Sequence, residues 1–169
     1  MCTLLQRRNE RYPQRVSEHR LQSVTIDPAS LAPVTQDVEH ERRVAIFDLL
    51  EENVFQPAGA DGGPYDLDVA LVDNRLALRV TGPGYEKTHL LSLGPFKTVI
   101  RDYFIVCNSY FDAIRGATAS QIEALDMGRR GLHNEGSELL RERLAGKVET
   151  DRDTARRLFT LICALHRRP

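Results

Sequence analysis

The stretch from Tyr65 to Val80 constrains the fold most, because a single pairing of it satisfies both of its faces. Tyr65, Leu67, Val69 and Leu71 alternate with polar or small residues, and so do Leu76, Leu78 and Val80. Alternation with period two marks half-buried strands. Asp73 and Asn74 lie between them, short polar residues that tolerate the left-handed backbone a two-residue hairpin turn demands. Folding about that turn sets Leu71 against Leu76, Val69 against Leu78 and Leu67 against Val80 on one face. The same register puts Asp68 opposite Arg79 on the other face, an opposite-charge pair worth roughly 0.2–1 kcal/mol. A Gly82-Pro83-Gly84 turn then leads to a third strand, Lys87–Leu93, in which His89, Leu91 and Leu93 alternate. A short antiparallel meander is the expectation.

Beyond Pro95 the apolar period changes from that of strands to that of helices. Proline is well placed in a helix's first turn, where its missing N–H has no partner to lose. Phe96, Ile100, Tyr103, Cys107, Tyr110, Phe111 and Ile114 form one stripe, ended by Gly116. Ser120 with Glu123 fits a capping box for a second helix reaching about Leu144 and stopping at Gly146. Thr150 with Asp153 fits the start of a last helix, whose Ala155, Leu158, Phe159, Ile162 and Leu165 face inward. Upstream, Arg20–Asp27 alternates as a short strand stopped by Pro28, and Thr35 or Asp37 caps a helix running to about Glu52. Val54–Pro57 reads as another short strand, ended by the turn-rich 59–64 segment. The fold class is α+β: a short antiparallel sheet packed against a largely C-terminal helical bundle.

Length and composition suit one globular domain over residues 20–167, preceded by a basic tail over 1–19. Of 169 residues, 41% are hydrophobic and 28% charged, too apolar for a disordered chain. No run approaches the roughly 20 apolar residues of a membrane helix, and the basic start lacks a signal peptide's apolar core. A cytoplasmic setting without membrane contact is the expectation. The three cysteines, at 2, 107 and 163, have neither zinc nor redox spacing, and so imply no metal and no disulfide framework. Asp37 and His40 have the i, i+3 spacing of a metal pair, but no partner helix supplies the complementary ligands. Gly59–Gly63 has no Walker lysine and no following helix, so it is a loop. No cofactor is implied.

The segment Asp126–Ser137 (DMGRRGLHNEGS) breaks a rule. Glycines at 128, 131 and 136 inside a helical pattern cost roughly 1 kcal/mol each relative to alanine. Such a cost is kept where a backbone approaches something closely or a helix breaks. On a continuous helix Asp126, Arg130, His133 and Ser137 share a stripe, with Leu125, Leu132 and Leu139 beside it and Arg129 between. Arginines suit phosphate or carboxylate through their planar fork, and histidine exchanges a proton near neutral pH. The plainer expectation is that the glycines let helices pack tightly while Arg129 and His133 pair with acids such as Asp102 or Asp112.

Three functions are compatible with these residues. The leading one is a non-enzymatic regulatory or interaction protein that meets an unknown protein through Asp126, Arg129, Arg130, His133, Asn134 and Ser137. The alternative is a small enzyme or binder of a phosphorylated or carboxylated small molecule at Arg129, Arg130 and His133. The third is an RNA-associated factor using Arg152, Arg156, Arg157, Arg167 and Arg168. The third is weakened by the few aromatics accompanying those arginines.

Segments 37–53, 61–72, 101–118, 122–137 and 153–166, DMGRRGLHNEGS above all, resemble uncharacterised protein family 0262, a set of small bacterial proteins. The resemblance covers about residues 20–167. It implies one compact domain in a bacterial cytoplasm and carries over no activity, cofactor or catalytic residue. Members begin just before the RLQSVTID-like strand, so it also implies that residues 1–15 are a mis-called extension, with translation starting at Val16.

Overall fold

A computed structural model describes residues 18–167; the basic tail up to Ser17, Cys2, the proposed start at Val16, and Arg168 lie outside them. The chain runs β1 (Leu21–Ile26), α1 (Gln36–Glu51), β2 (Phe55–Pro57), β3 (Tyr65–Val72), β4 (Arg75–Gly82), β5 (Tyr85–Ser92), α2 (Lys97–Ile114), α3 (Ala119–Leu144), β6 (Val148–Thr150) and α4 (Arg152–His166). It is an α+β architecture.

The hairpin of β3 and β4 adopts the register its two faces require. Leu71 pairs with Leu76, Val69 with Leu78, Leu67 with Val80, and Asp68 with Arg79. Asp73 and Asn74 stand at φ 49° and 59°, the left-handed pair a tight hairpin needs. Arg79 forms its ion pair one strand further on, with Glu86 at 2.7 Å, while Asp68 accepts from the Thr25 hydroxyl. The third strand begins at Tyr85, two residues before the expected start, because Gly84 at φ 65° turns the chain there.

The sheet is mixed rather than purely antiparallel. Strand β1 lies parallel to β3 at the edge, giving the order β1-β3-β4-β5. The α1 crossover makes that parallel return possible. A second, two-stranded ribbon joins β2 to β6.

One face of the sheet is covered by helices. Val69, Leu76 and Leu78 meet Leu140 and Leu144 of α3 and Leu158, Leu161, Ile162 and Leu165 of α4, around a residual void of only about 10 Å³. Helix α4 is the centre of the protein: α1 and α3 also pack on it. Leu161, Cys163 and Ala164 are therefore buried along with the five residues of its expected inward stripe.

Two of the three expected caps fall one or two residues from the observed ones. Thr118, not Ser120, accepts from Gln121 N, and Gln121 returns a bond to Thr118 N, completing a capping box. Asp151, not Thr150, accepts from Thr154 N. Thr35 caps α1 as expected, at 3.4 Å from Val38 N.

The apolar stripe of α2 outruns the core. Phe96, Ile100 and Cys107 are buried, but Phe111 and Ile114 are more than half exposed. The outer end of α2 packs with α3 as a two-helix hairpin.

Candidate functional site

Helix α3 is continuous through all three glycines, and each glycine has a different neighbourhood. A Cβ at Gly136 would overlap the Phe159 ring, with Cε1 only 2.5 Å away. That glycine lets α3 press its backbone onto α4, so its role is interior. A Cβ at Gly128 would meet only Val106 Cγ1, at an ordinary 3.7 Å, and one at Gly131 would meet nothing within 4 Å. Those two face outward. Gly146, at φ 78°, closes the helix.

The six singled-out residues separate into two clusters and one outlier. Asp126 gathers both arginines: Arg129 Nη2 at 2.5 Å and Arg130 Nη2 at 3.0 Å. The hydrogen bond from Arg129, with the two positive charges, holds the Asp126 carboxyl below its ordinary range. Arg129 also lies over the Tyr110 ring, 5.2 Å from its centre. The acid expected from α2, at 102 or 112, is thus supplied from within α3. Asp102 pairs with Arg101 instead, at 3.2 Å.

His133 and Ser137 form the second cluster. The imidazole sits edge-on between Tyr103 and Phe159, with ring centres 5.5 and 5.2 Å away. Its Nε2 is 2.8 Å from the Thr160 hydroxyl, and buried Ser137 donates to the His133 carbonyl at 2.7 Å. Asn134, the outlier, buries a side-chain oxygen that finds no hydrogen-bond partner among the described residues.

Burial, followed by the positive charges of Arg156 and Arg129, pushes the His133 pKa down to about 4. A ring that stays neutral so far into acid is a packing element rather than a proton carrier near pH 7. The sign of its effect on stability is definite. The unfolded ring takes up a proton near pH 6.5 and the folded one only near 4, so protonation favours the unfolded chain in that interval. The contribution of His133 is fully present above about pH 6.5 and is lost as pH falls toward 4. Urea midpoints should therefore fall more steeply between pH 7 and pH 4.5 for wild type than for His133→Gln. Equal slopes would contradict this placement of the ring.

Sequence reading missed Arg42. It occupies the buried stripe of α1 between Val38 and Ala45, with Nε 3.3 Å from the Ala164 carbonyl and Nη1 3.2 Å from Glu39. A cation there satisfies a carbonyl at the end of α4, where the helix dipole favours positive charge. Its spacing on an apolar stripe was the available signal. Of the arginines considered for RNA, Arg157 donates to the Glu52 carbonyl at 2.7 Å, and Arg167 pairs with Glu41 at 3.3 Å.

None of the five principal clefts is lined by any of the six residues. Among the described residues there is no group of three or more His, Cys, Asp or Glu side chains able to hold a metal ion. No helix among them is long and apolar enough to cross a membrane.

Fold and segment together define a small α+β protein built around a central C-terminal helix and carrying a glycine-bearing helix against it. A model of the Uncharacterised protein family (UPF0262) matches residues 18–168, and the chain belongs to that family. A UPF0262 protein of Phenylobacterium zucineum is 68% identical over 149 residues, covering 88% of this chain and 94% of that protein. A UPF0262 protein of Caulobacter vibrioides is 63% identical over 150 residues, covering 89% and 94%. One from Rhizobium johnstonii is 57% identical over 151 residues, covering 88% and 96%. No solved structure matches the chain. The family name assigns no activity, so the function must be read from the chain's own geometry.

Proposed function

We propose that this is a non-enzymatic interaction protein whose α2–α3 hairpin docks an amphipathic helix of a protein partner. The observation that carries the reading is an exposed line of small residues on α3 that ends at the open Gly131. Ala124, Gly128 and Gly131 follow one another at i, i+4 and i+7 along an exposed line of α3. Met127, 67% exposed, stands beside that line.

Two missing side chains between raised neighbours leave a shallow channel, into which a row of side chains from another helix fits. Arg130, with 68% of its side chain exposed, borders it and favours an acidic residue on the partner's flank.

The alternative, a ligand gripped by Arg129, Arg130 and His133, has less support. None of these three residues lines any of the five clefts, and burial keeps the imidazole uncharged.

Filling the channel tests the reading. Gly131→Leu meets no protein atom within 4 Å of its Cβ and improves helix propensity by roughly 0.8 kcal/mol. In affinity capture from the native cell, wild type and Gly131→Ala should retain a partner that Gly131→Leu loses, at an unchanged or raised melting temperature. Undiminished capture by Gly131→Leu, or no partner for wild type, would overturn the proposal.

A further inference from the structure

We infer that a small organic anion, a carboxylate or phosphate ester with an apolar body, binds in the cleft where the β3–β4 turn, the start of α2 and the end of α4 meet. The site goes beyond the docking reading and uses the flank of α2 turned away from α3. Its volume is about 750 Å³, well inside the range of small-molecule pockets, roughly 300–1,000 Å³.

The charge of the lining is one-sided. Lys97, Arg101 and Arg167 supply three cations, and no carboxylate among the described residues lines the cleft. The whole chain carries a net charge of −1, so this is a local concentration of positive charge rather than a general property. The Lys97 backbone N–H donates to the Gly94 carbonyl, while its side chain makes no hydrogen bond or ion pair among the described residues. The two arginines meet acids from outside the lining through Nε: Arg101 with Asp102 at 3.2 Å, Arg167 with Glu41 at 3.3 Å. Asp102 and Glu41 offset part of the arginines' charge from outside the lining, and Lys97 leaves the opening net positive, so an anion there is favoured.

The remaining walls define the rest of the ligand. Asn74 and Asn108 bring side-chain amides that donate to oxygen atoms. Leu93, Ile100 and Phe104 give an apolar floor. Arg167 is held over the Phe104 ring, 5.1 Å from its centre, which keeps its guanidinium at the mouth. His166 turns its Nδ1–H to the Ile162 carbonyl at 2.7 Å, fixing the ring at the rim. The ligand therefore carries its charge at one end and a flat or aliphatic portion at the other.

Phenyl phosphate, inorganic phosphate and benzyl alcohol titrated into the full chain separate these requirements. Phenyl phosphate should shift the backbone amide resonances of residues 93–108 and 166–167 saturably. Inorganic phosphate should bind more weakly, and benzyl alcohol not at all. Lys97→Glu with Arg101→Glu reverses two exposed charges outside the core and should weaken phenyl phosphate binding about tenfold or more. Arg143→Glu, an exposed change elsewhere, should leave it as it was. Shifts scattered over the surface, or affinity indifferent to the double reversal, would overturn the site. Inorganic phosphate binding as tightly as phenyl phosphate would overturn the ligand class. None of these outcomes depends on Gly131 or the docking channel.

Discussion

Gly136→Ala should destabilise the protein by about 3 kcal/mol or more, a fall of roughly 6–12 °C in melting temperature for a chain of this size. One methyl group has so large an effect because the site is already full. The new Cβ would overlap the Phe159 ring, which is wholly buried between α3 and α4. Relief requires α3 to lift from α4, or the ring to push into Tyr103 and His133, its edge-on neighbours. The gain of roughly 1 kcal/mol that alanine brings to an open helical site is overwhelmed. Smaller variants at 159 should compensate: Gly136→Ala with Phe159→Leu should be less destabilised than the sum of the two single changes. Thermal unfolding of the four proteins gives the answer. A Gly136→Ala protein as stable as wild type would mean that α3 does not rest on α4 in this way.

Asn53→Ala should cost about 3 kcal/mol, although Asn53 belongs to no strand and is only half buried. Its side chain stands in for a neighbouring strand at the end of β1. Oδ1 accepts from Leu21 N at 2.7 Å, while Nδ2 donates to the Leu21 carbonyl at 3.2 Å and the Leu49 carbonyl at 3.0 Å. Leu21 is fully buried, so both of its backbone groups lose their partner in a place water does not reach. Each buried group left unsatisfied costs roughly 1–3 kcal/mol. Asn53→Asp keeps the acceptor but sets a carboxylate against two carbonyls, so it should not rescue. Urea unfolding measures the loss, and amide exchange at Leu21 should accelerate with it. A change below about 1 kcal/mol would show that the side chain braces nothing.

These two residues mark where sequence reading succeeds and where it stops. The β3–β4 register was legible because alternation, turn chemistry and cross-strand charge all selected one pairing, and they act over a few residues. The parallel pairing of β1 with β3 was not, because nothing local in Leu21–Ile26 says which strand lies beside it. Asn53 was invisible for the same reason: its three bonds reach to Leu21 and Leu49 through the way α1 returns to β1. The expected caps at Ser120 and Thr150 were displaced by Thr118 and Asp151, one or two positions away, since Ser, Thr and Asp all accept from backbone N–H groups.

In the 126–137 segment the helix and its stripe were legible, but the purpose of each glycine was not. Gly128, Gly131 and Gly136 are identical in sequence terms, and only Phe159, 23 positions beyond Gly136, distinguishes them. The acid for Arg129 was sought across the helix pair and lies three residues back. The basic cleft could not be anticipated, because Asn74, Lys97 and Arg167 are drawn together from three distant parts of the chain.

The outward channel on α3 can be interrogated in place. A photo-crosslinking side chain at position 131, irradiated in the native cell, should join the protein to one partner. The crosslinked residue should lie on the apolar face of a helix in that partner, and the same probe at the exposed Glu149 should give no such product. A crosslink only to a second copy of this chain, or a spread of products equal at both positions, would contradict the docking surface proposed for this protein.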